Sequence, residues 1–408
     1  MKNLIILFLI VLYSEVFAID RFVDPNLSQG NGSTLFTTIT DAVAAAVNGD
    51  RIIVASSTYN EAQLTIDKSL QIIPQTAGTT INFNANIVVN GFAGMNLEII
   101  GFDLGVYNLQ NNNFSGTDSS YASVSVIGCV FNKVIFDSDF YALNMLESTA
   151  NSLIFKSGYI VKSYIINSFR VQDEVGSMST SDRKIKIIAN DIDTEIYIYN
   201  DNFPWIIANN DLEGVNLQRW NPSSSVTNVI HNNNFTGRFH MTSRNVPRYN
   251  IIVTSNIFGE NFCITRNPNR IYTTGLDFND PGTNFGGLFC NGGNTNEYPN
   301  PNVPGFFEWS YNAGRTFSYP TVDSSSPLSV TMIAGNSTSI DSGNPNHKYY
   351  DIDLTLNDVG KMGGPYSQLN YTAFNPNNSR AFIFDLEMPV DLFPGQDVEI
   401  QAKGYHGN

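Results

Sequence analysis

Six short stretches in the middle of the chain share one hydropathy signature: a small or polar residue, most often Asn, just ahead of a bulky apolar position. They read Gly128-Cys129-Val130-Phe131, Ile166-Asn167-Ser168-Phe169, Ala189-Asn190-Asp191-Ile192, Asn209-Asn210-Asp211-Leu212, Asn232-Asn233-Asn234-Phe235 and Thr254-Ser255-Asn256-Ile257-Phe258. The last five place Asn at 167, 190, 210, 233 and 256, intervals of 23, 20, 23 and 23 residues. The interval of 38 from Cys129 to Asn167 fits two turns with one degraded copy between them. A repeat of this size predicts a solenoid, because one unit cannot bury its apolar face until neighbours stack on it. Short apolar strands and Asn/Gly corners leave little room for helix, so the predicted coil is β and spans roughly residues 75 to 270. Adjacent turns then lie about 4.8 Å apart with Phe, Ile and Leu stacked inside.

Ahead of the coil, Thr40-Asp41-Ala42-Val43-Ala44-Ala45-Ala46-Val47-Asn48-Gly49 predicts a short helix. Thr38 or Thr40 can cap its start, and Asn48-Gly49 can stop it in a left-handed turn. Strands Arg51–Val54, Leu64–Ile66 and Leu70–Ile73 follow. Placed over the first turn, an Ala/Val-faced helix covers the terminal apolar layer that an open stack leaves bare.

Several motifs at both ends form a known pattern. Val23-Asp24-Pro25, Ile39, Ala42, Gly49-Asp50, Thr58-Tyr59 and Lys68-Ser69-Leu70 stand near the N-terminus, with Ser57 where Gly is usual. Asp341-Ser342-Gly343-Asn344-Pro345, Asp351-Ile352-Asp353 with Asn357-Asp358-Val359-Gly360, and Gly363-Gly364-Pro365 stand near the C-terminus. The chain thus resembles the secreted bacterial right-handed parallel β-helix proteins of the pectate-lyase-like fold. The resemblance implies an all-β right-handed parallel β-helix with an N-terminal capping helix, closed by the three C-terminal elements. It implies no particular activity, since this fold hosts lyases, hydrolases and non-enzymes. The expected layout is a signal peptide over 1–18, the β-helix over 19–366 with a Gly/Asn/Pro-rich loop excursion at about 267–302, and a short β tail over 367–408. Trp309 and Tyr311 look like the return from the excursion, and 381–386 with 398–402 alternate like two strands.

Lys2, the apolar run Leu4–Tyr13 and the small residues of Val16-Phe17-Ala18 form a signal peptide cut before Ile19. The mature chain carries no stretch that reads as a membrane span, so the expectation is a secreted or cell-surface protein. The net charge of −15 disfavours nucleic acid and anionic membranes. Against that acidity, Arg170, Arg183, Arg219, Arg238, Arg244, Arg248, Arg266 and Arg270 crowd into one quarter of the chain. About one residue in eight is Asn, which tolerates the left-handed bends of a coil. Cys129 reads as a small buried hydrophobe, whereas Cys263 and Cys290 are a candidate disulfide in an exported protein.

Three functional readings compete for the long face between Arg170 and Arg270. A uronate lyase needs a strong base and a cation to neutralise the substrate carboxylate. Arg219, Arg238 and Arg244 are the candidate catalytic bases, beside Asp191, Asp193, Asp211 and Glu213 as a calcium cluster. The ordinary alternative is structural Asp at solenoid corners and solvated arginines. A galacturonan hydrolase lacks its Asp-Asp pair and Gly-His-Gly loop here. The leading expectation is a non-catalytic module that contacts a polysaccharide or other extracellular polymer, with Trp220 and His240 as candidate contacts. Trp205, Tyr197 and Tyr199 are further aromatics, but aromatics that alternate on a strand are more often core or a cross-turn ladder, and only Trp220 reads as a loop residue. Separately, Asp351, Asp353, Asn357 and Asp358 place oxygen ligands much as calcium loops do, although the loop glycine and distal Glu are missing. The competing reading is that these side chains bond backbone and close the last coil.

Overall fold

The computed structural model describes residues 18–116, 121–172, 184–199, 204–218, 227–236, 239–242, 250–254, 257–258, 263–264, 289–290, 308–311, 350–351, 355, 358, 360–367, 381–387 and 401–406. It is a right-handed parallel β-helix solenoid. Among the described residues, thirteen strands form one sheet and fourteen a second. The turns contribute to both, and neighbours within a sheet pair in parallel from turn to turn, up to the last strand of the first sheet.

The register stacks one apolar column per inward position. In the first sheet Ile52, Ile72, Ile99, Val126, Met145, Ile160, Ile187, Ile207 and Ile230 follow one another turn by turn. In the second, Val134, Leu153, Phe169, Ile196 and Val215 do the same. All are fully buried, and burying such a side chain stabilises by about 1.5–3 kcal/mol. Trp205 belongs to this interior, at 1% exposure, so it cannot stack on a sugar.

Helix α1 (Ile39–Ala45) starts at Thr38, whose hydroxyl accepts from the Asp41 amide. The next turn clamps both of its ends. Glu61 accepts from the amides of Ile39 and Thr40 at 2.7 and 2.8 Å. Lys68 Nζ donates to the carbonyls of Val43 and Ala44 at 2.8 and 3.0 Å. An anion at the N-terminus and a cation at the C-terminus complement the helix dipole. Ile39, Ala42 and Val43 face the core, which makes α1 the cap that the sequence predicts. The helix stops before Asn48-Gly49; Gly49, at φ +93°, turns the chain into the strand Arg51–Val54.

The Asn signature marks one corner of the coil. Gly101, Gly128, Glu147, Lys162, Ala189, Asn209 and Asn232 all occupy left-handed backbone, with φ between 45° and 69°. The residue after each corner turns inward and ties successive turns together. The amide of Cys129 donates to Ser148 Oγ at 3.0 Å, that of Ser148 to Ser163 Oγ at 3.2 Å, and that of Ser163 to Asn190 Oδ1 at 2.8 Å. The ladder continues from the Asn190 amide to Asn210 Oδ1 at 2.9 Å and from the Asn210 amide to Asn233 Oδ1 at 3.0 Å. Cys129 is buried as expected, and accepts from the Phe102 amide at 3.4 Å.

This corrects the alignment of the third copy. Tyr164 and Ile165 are in register with Asp191 and Ile192, so the copy is Lys162-Ser163-Tyr164-Ile165 and not the stretch around Asn167. The degraded copy is Glu147-Ser148-Thr149-Ala150. Corners at 128, 147, 162, 189, 209 and 232 are unevenly spaced, and a fixed period cannot follow them. In the tight turns a Ser hydroxyl fills the Asn role by bonding back two residues, as Ser163 Oγ does to the Val161 carbonyl at 3.0 Å.

At the far end of the first sheet, Glu308–Tyr311 pairs antiparallel with Asn250–Thr254, so the return from the excursion reverses strand direction instead of adding a parallel turn. Ala381–Glu387 and Gln401–His406 form an antiparallel pair. Cys263 stands directly opposite Cys290 in the antiparallel pair Cys263–Ile264 and Phe289–Cys290. Opposed residues of such a pair lie within the Cα separation that a disulfide spans. Thiol titration of oxidised protein in denaturant is therefore expected to find one free thiol, Cys129, and three after reduction. Three before reduction would exclude the bridge.

Candidate functional site

Among the described residues, the first sheet carries one apolar column on its outer side, and the second carries none. Outside the first sheet a second apolar cluster of Ile100, Ile127, Leu146, Val161 and Ile188 is almost fully buried, with Tyr366 packed against it. That column is covered, whereas other outward positions of the first sheet, such as Gln71, Glu98, Ser125 and Asn144, are half-buried. Outside the second sheet, Tyr164, Asn167, Arg170, Asp191, Asp193 and Glu213 reach solvent.

Register arranges these residues in rows that run along the solenoid axis. One row passes through Val130, Thr149, Tyr164, Asp191, Asp211 and Asn234 on consecutive turns. A second passes through Ile154, Arg170, Tyr197, Asn216 and the position of His240. Between them runs an amide file. Asn132 Nδ2 donates to Asn108 Oδ1 at 3.2 Å, Asn151 Nδ2 to Asn132 Oδ1 at 3.3 Å, and Asn167 Nδ2 to Asn151 Oδ1. This is where Asn167 belongs: on the outside, not at the corner.

The acidic residues are close but individually engaged. Tyr164 Oη donates to the Asp193 carboxylate, which raises the phenol pKa. Lys361 Nζ lies 2.5 Å from Asp211 Oδ2. Asp191 stands in register with Asp211; loss of hydration between packed turns, then the Asp211 charge and that of Asp193, raise its pKa, while Lys361 pulls the other way. Asn216 Nδ2 donates to Glu195 Oε2 at 3.4 Å. Among the described residues, no three His, Cys, Asp or Glu side chains converge to hold a metal ion.

Lys361 arrives on a strap that runs along the flank of the coil. Asn209 and Asn232, the two Asn corners, turn their amides outward to hold it. Asn209 Nδ2 donates to the carbonyls of Lys361, at 2.9 Å, and Gly363; Asn232 Nδ2 donates to those of Asp358, at 2.7 Å, and Gly360. Lys361 N donates to Asn234 Oδ1 at 3.1 Å, and the Tyr366 ring packs 5.6 Å from that of His231. The Gly-Gly-Pro element therefore binds the side of the solenoid at these turns. A Cβ on Gly363 would come within 2.1 Å of the Asp358 carbonyl oxygen, which explains the glycine. Asp351 accepts from the amides of Asp358 and Gly364, so its carboxylate bonds backbone and closes the strap on itself.

Of the residues singled out from sequence, His240 takes a register position beside Asn216 in the second row, and Asp351 and Asp358 lie in the strap. Arg219, Trp220, Arg238, Arg244, Asp353 and Asn357 lie outside the described residues. Sequence reasoning named Arg170 and Tyr197 separately but missed that they are turn-to-turn neighbours, and it missed Lys361 as the partner of Asp211. Registering the inward Phe169 with Ile196 would have paired the first two; nothing local pairs residues 150 positions apart.

No family model, curated protein or solved structure matches this chain.

Proposed function

We propose that this is an exported solenoid that contacts an extracellular polymer, most simply a polysaccharide, along the outer face of its second sheet, without cleaving it. The observation that carries the reading is the outer face of the second sheet, which is polar, reaches solvent at Tyr164, Asn167, Arg170, Asp191, Asp193 and Glu213, and is ordered into rows of one side chain per turn. Such rows recur at about 4.8 Å, close to the advance of an extended sugar chain. Arg170 offers a planar guanidinium for carboxylate or hydroxyl groups, and Tyr197 beside it a ring for a pyranose to pack on. The amide file adds donors and acceptors that suit sugar hydroxyls.

The test is a binding screen of the chain from Ile19 to Asn408 against acidic and neutral polysaccharides, with calcium present. Binding is expected with Arg170→Ala and Tyr197→Ala each weakening it about tenfold, near 1.4 kcal/mol. Ultraviolet absorbance of unsaturated uronate, followed in the same samples, is expected to stay flat. A rise that disappears on Arg219→Ala, Arg238→Ala or Arg244→Ala would instead make this a calcium-assisted lyase.

A further inference from the structure

The start of the solenoid carries a buried anion built to receive a chain terminus. Asp50 is fully buried, and its carboxylate has three partners. Oδ2 accepts from Arg21 Nε at 2.7 Å and from the Val47 amide at 2.9 Å; Oδ1 accepts from the backbone nitrogen of Ile19 at 2.9 Å. That nitrogen belongs to the peptide bond at which the sequence predicts removal of the leader.

We propose that cleavage before Ile19 places the new α-ammonium on the Asp50 carboxylate, so that processing converts an amide-to-carboxylate hydrogen bond into an ion pair that locks the first turn. The inference rests on the export reading above. In the cleavage step a signal peptidase adds water across the Ala18–Ile19 amide: the carbonyl carbon keeps the hydroxyl oxygen as a carboxylate, and Ile19 N leaves as an amine that takes up a proton. Ile19 N already sits at the acceptor, so no rearrangement is needed. Ile19 is also 44% exposed, which leaves water for the remaining N–H bonds of the ammonium.

The surrounding charges fit a second cation. Arg21 is shared with the Ser33 carbonyl, to which Nη1 donates at 2.5 Å. Arg51 is held by Asp20, with Nε and Nη2 at 2.9 and 2.7 Å from its two carboxylate oxygens. The Arg51 amide donates to the Ile19 carbonyl at 3.1 Å, which fixes the terminus in register with the next turn. Burial works against ionising Asp50, yet the Val47, Ile19 and Arg21 donors outweigh it and keep its pKa below the ordinary value.

The sign of the effect is fixed. An α-ammonium that gains a carboxylate partner on folding has its pKa raised above the ordinary value near 8, so its stabilisation is full below that value and is lost as pH rises through the folded pKa.

The experiment compares the chain beginning at Ile19, released from a removable N-terminal fusion, with the same chain acetylated at Ile19. The free terminus is expected to titrate at least one unit above the ordinary value, read by pH-dependent amine labelling. It is also expected to melt about 2 °C above the acetylated chain at pH 6, with the difference gone near pH 11. Equal melting at pH 6 together with an ordinary amine pKa would overturn the ion pair. N-terminal sequencing of the exported protein tests the premise separately: a mature end other than Ile19 overturns the proposal there, whatever the amine does. Asp50→Asn should return the amine to its ordinary pKa, and the acetylated comparison stands even where that variant fails to fold.

Discussion

Gly158→Ala is expected to abolish assembly of the turn that holds it. Gly158 has φ +123°, and a Cβ there would sit 1.9 Å from the Leu143 carbonyl oxygen. That oxygen belongs to the adjacent strand, where Leu143 and Gly158 are register partners. The clash is with backbone in the middle of a stack, so it cannot be relieved by a rotamer change. The expected cost exceeds about 4 kcal/mol, among the largest for a single methyl. It is measured as loss of soluble folded protein, or as a collapse of the denaturant midpoint. Gly128→Ala is the control: it shares a positive φ, but a Cβ there meets nothing within 4 Å, so only backbone strain of about 1–2 kcal/mol is expected.

Asn210→Ala is expected to cost about 3–5 kcal/mol, because it strands several buried groups at once. Asn210 is wholly buried. Its Oδ1 accepts from the Asn190 amide and from Asn190 Nδ2, both at 2.9 Å, and its Nδ2 donates to the Ile187 carbonyl and to Asn233 Oδ1, also at 2.9 Å. Removal leaves an N–H, a carbonyl and two amide side chains short of partners in a low-dielectric interior. Asn167→Ala, on the exposed outer file, is expected to change stability by less than about 0.5 kcal/mol. Equal effects at the two sites would show that the buried ladder does not tie the turns together.

Those two asparagines also show how far the sequence could be read. Asn190, Asn210 and Asn233 repeat regularly because each must present the same amide to the turn before it, and that pattern alone reveals a β-solenoid. Asn167 matches the pattern by residue type, although Ser163, just after the Lys162 corner, takes that place in the ladder. Ser and Asn satisfy the same backbone groups with side chains of different reach, so a search by residue type alone slips a few residues where a turn is short. The capping helix was legible because Thr38 and the Ala/Val run act locally; its clamps, Glu61 and Lys68, belong to the next turn and carry no local signal. The candidate site was legible only in pieces. Arg170 and Tyr197 become neighbours through register, and Lys361 reaches Asp211 through a strap 150 residues later. The reading of alternating aromatics as core holds for Trp205, whose alternation with Ile206 and Ile207 is that of a strand with one face in the core.

The most direct test of the proposed function is the dependence of binding on ligand length. Size-graded fragments of whichever polysaccharide binds best are titrated into the chain from Ile19 to Asn408. One row of side chains per turn predicts affinity that climbs with each added sugar over about four or five units and then levels off, with Arg170→Ala and Tyr197→Ala flattening the climb. Affinity already complete with a monosaccharide, and unchanged by those substitutions, would contradict an extended contact along the second sheet.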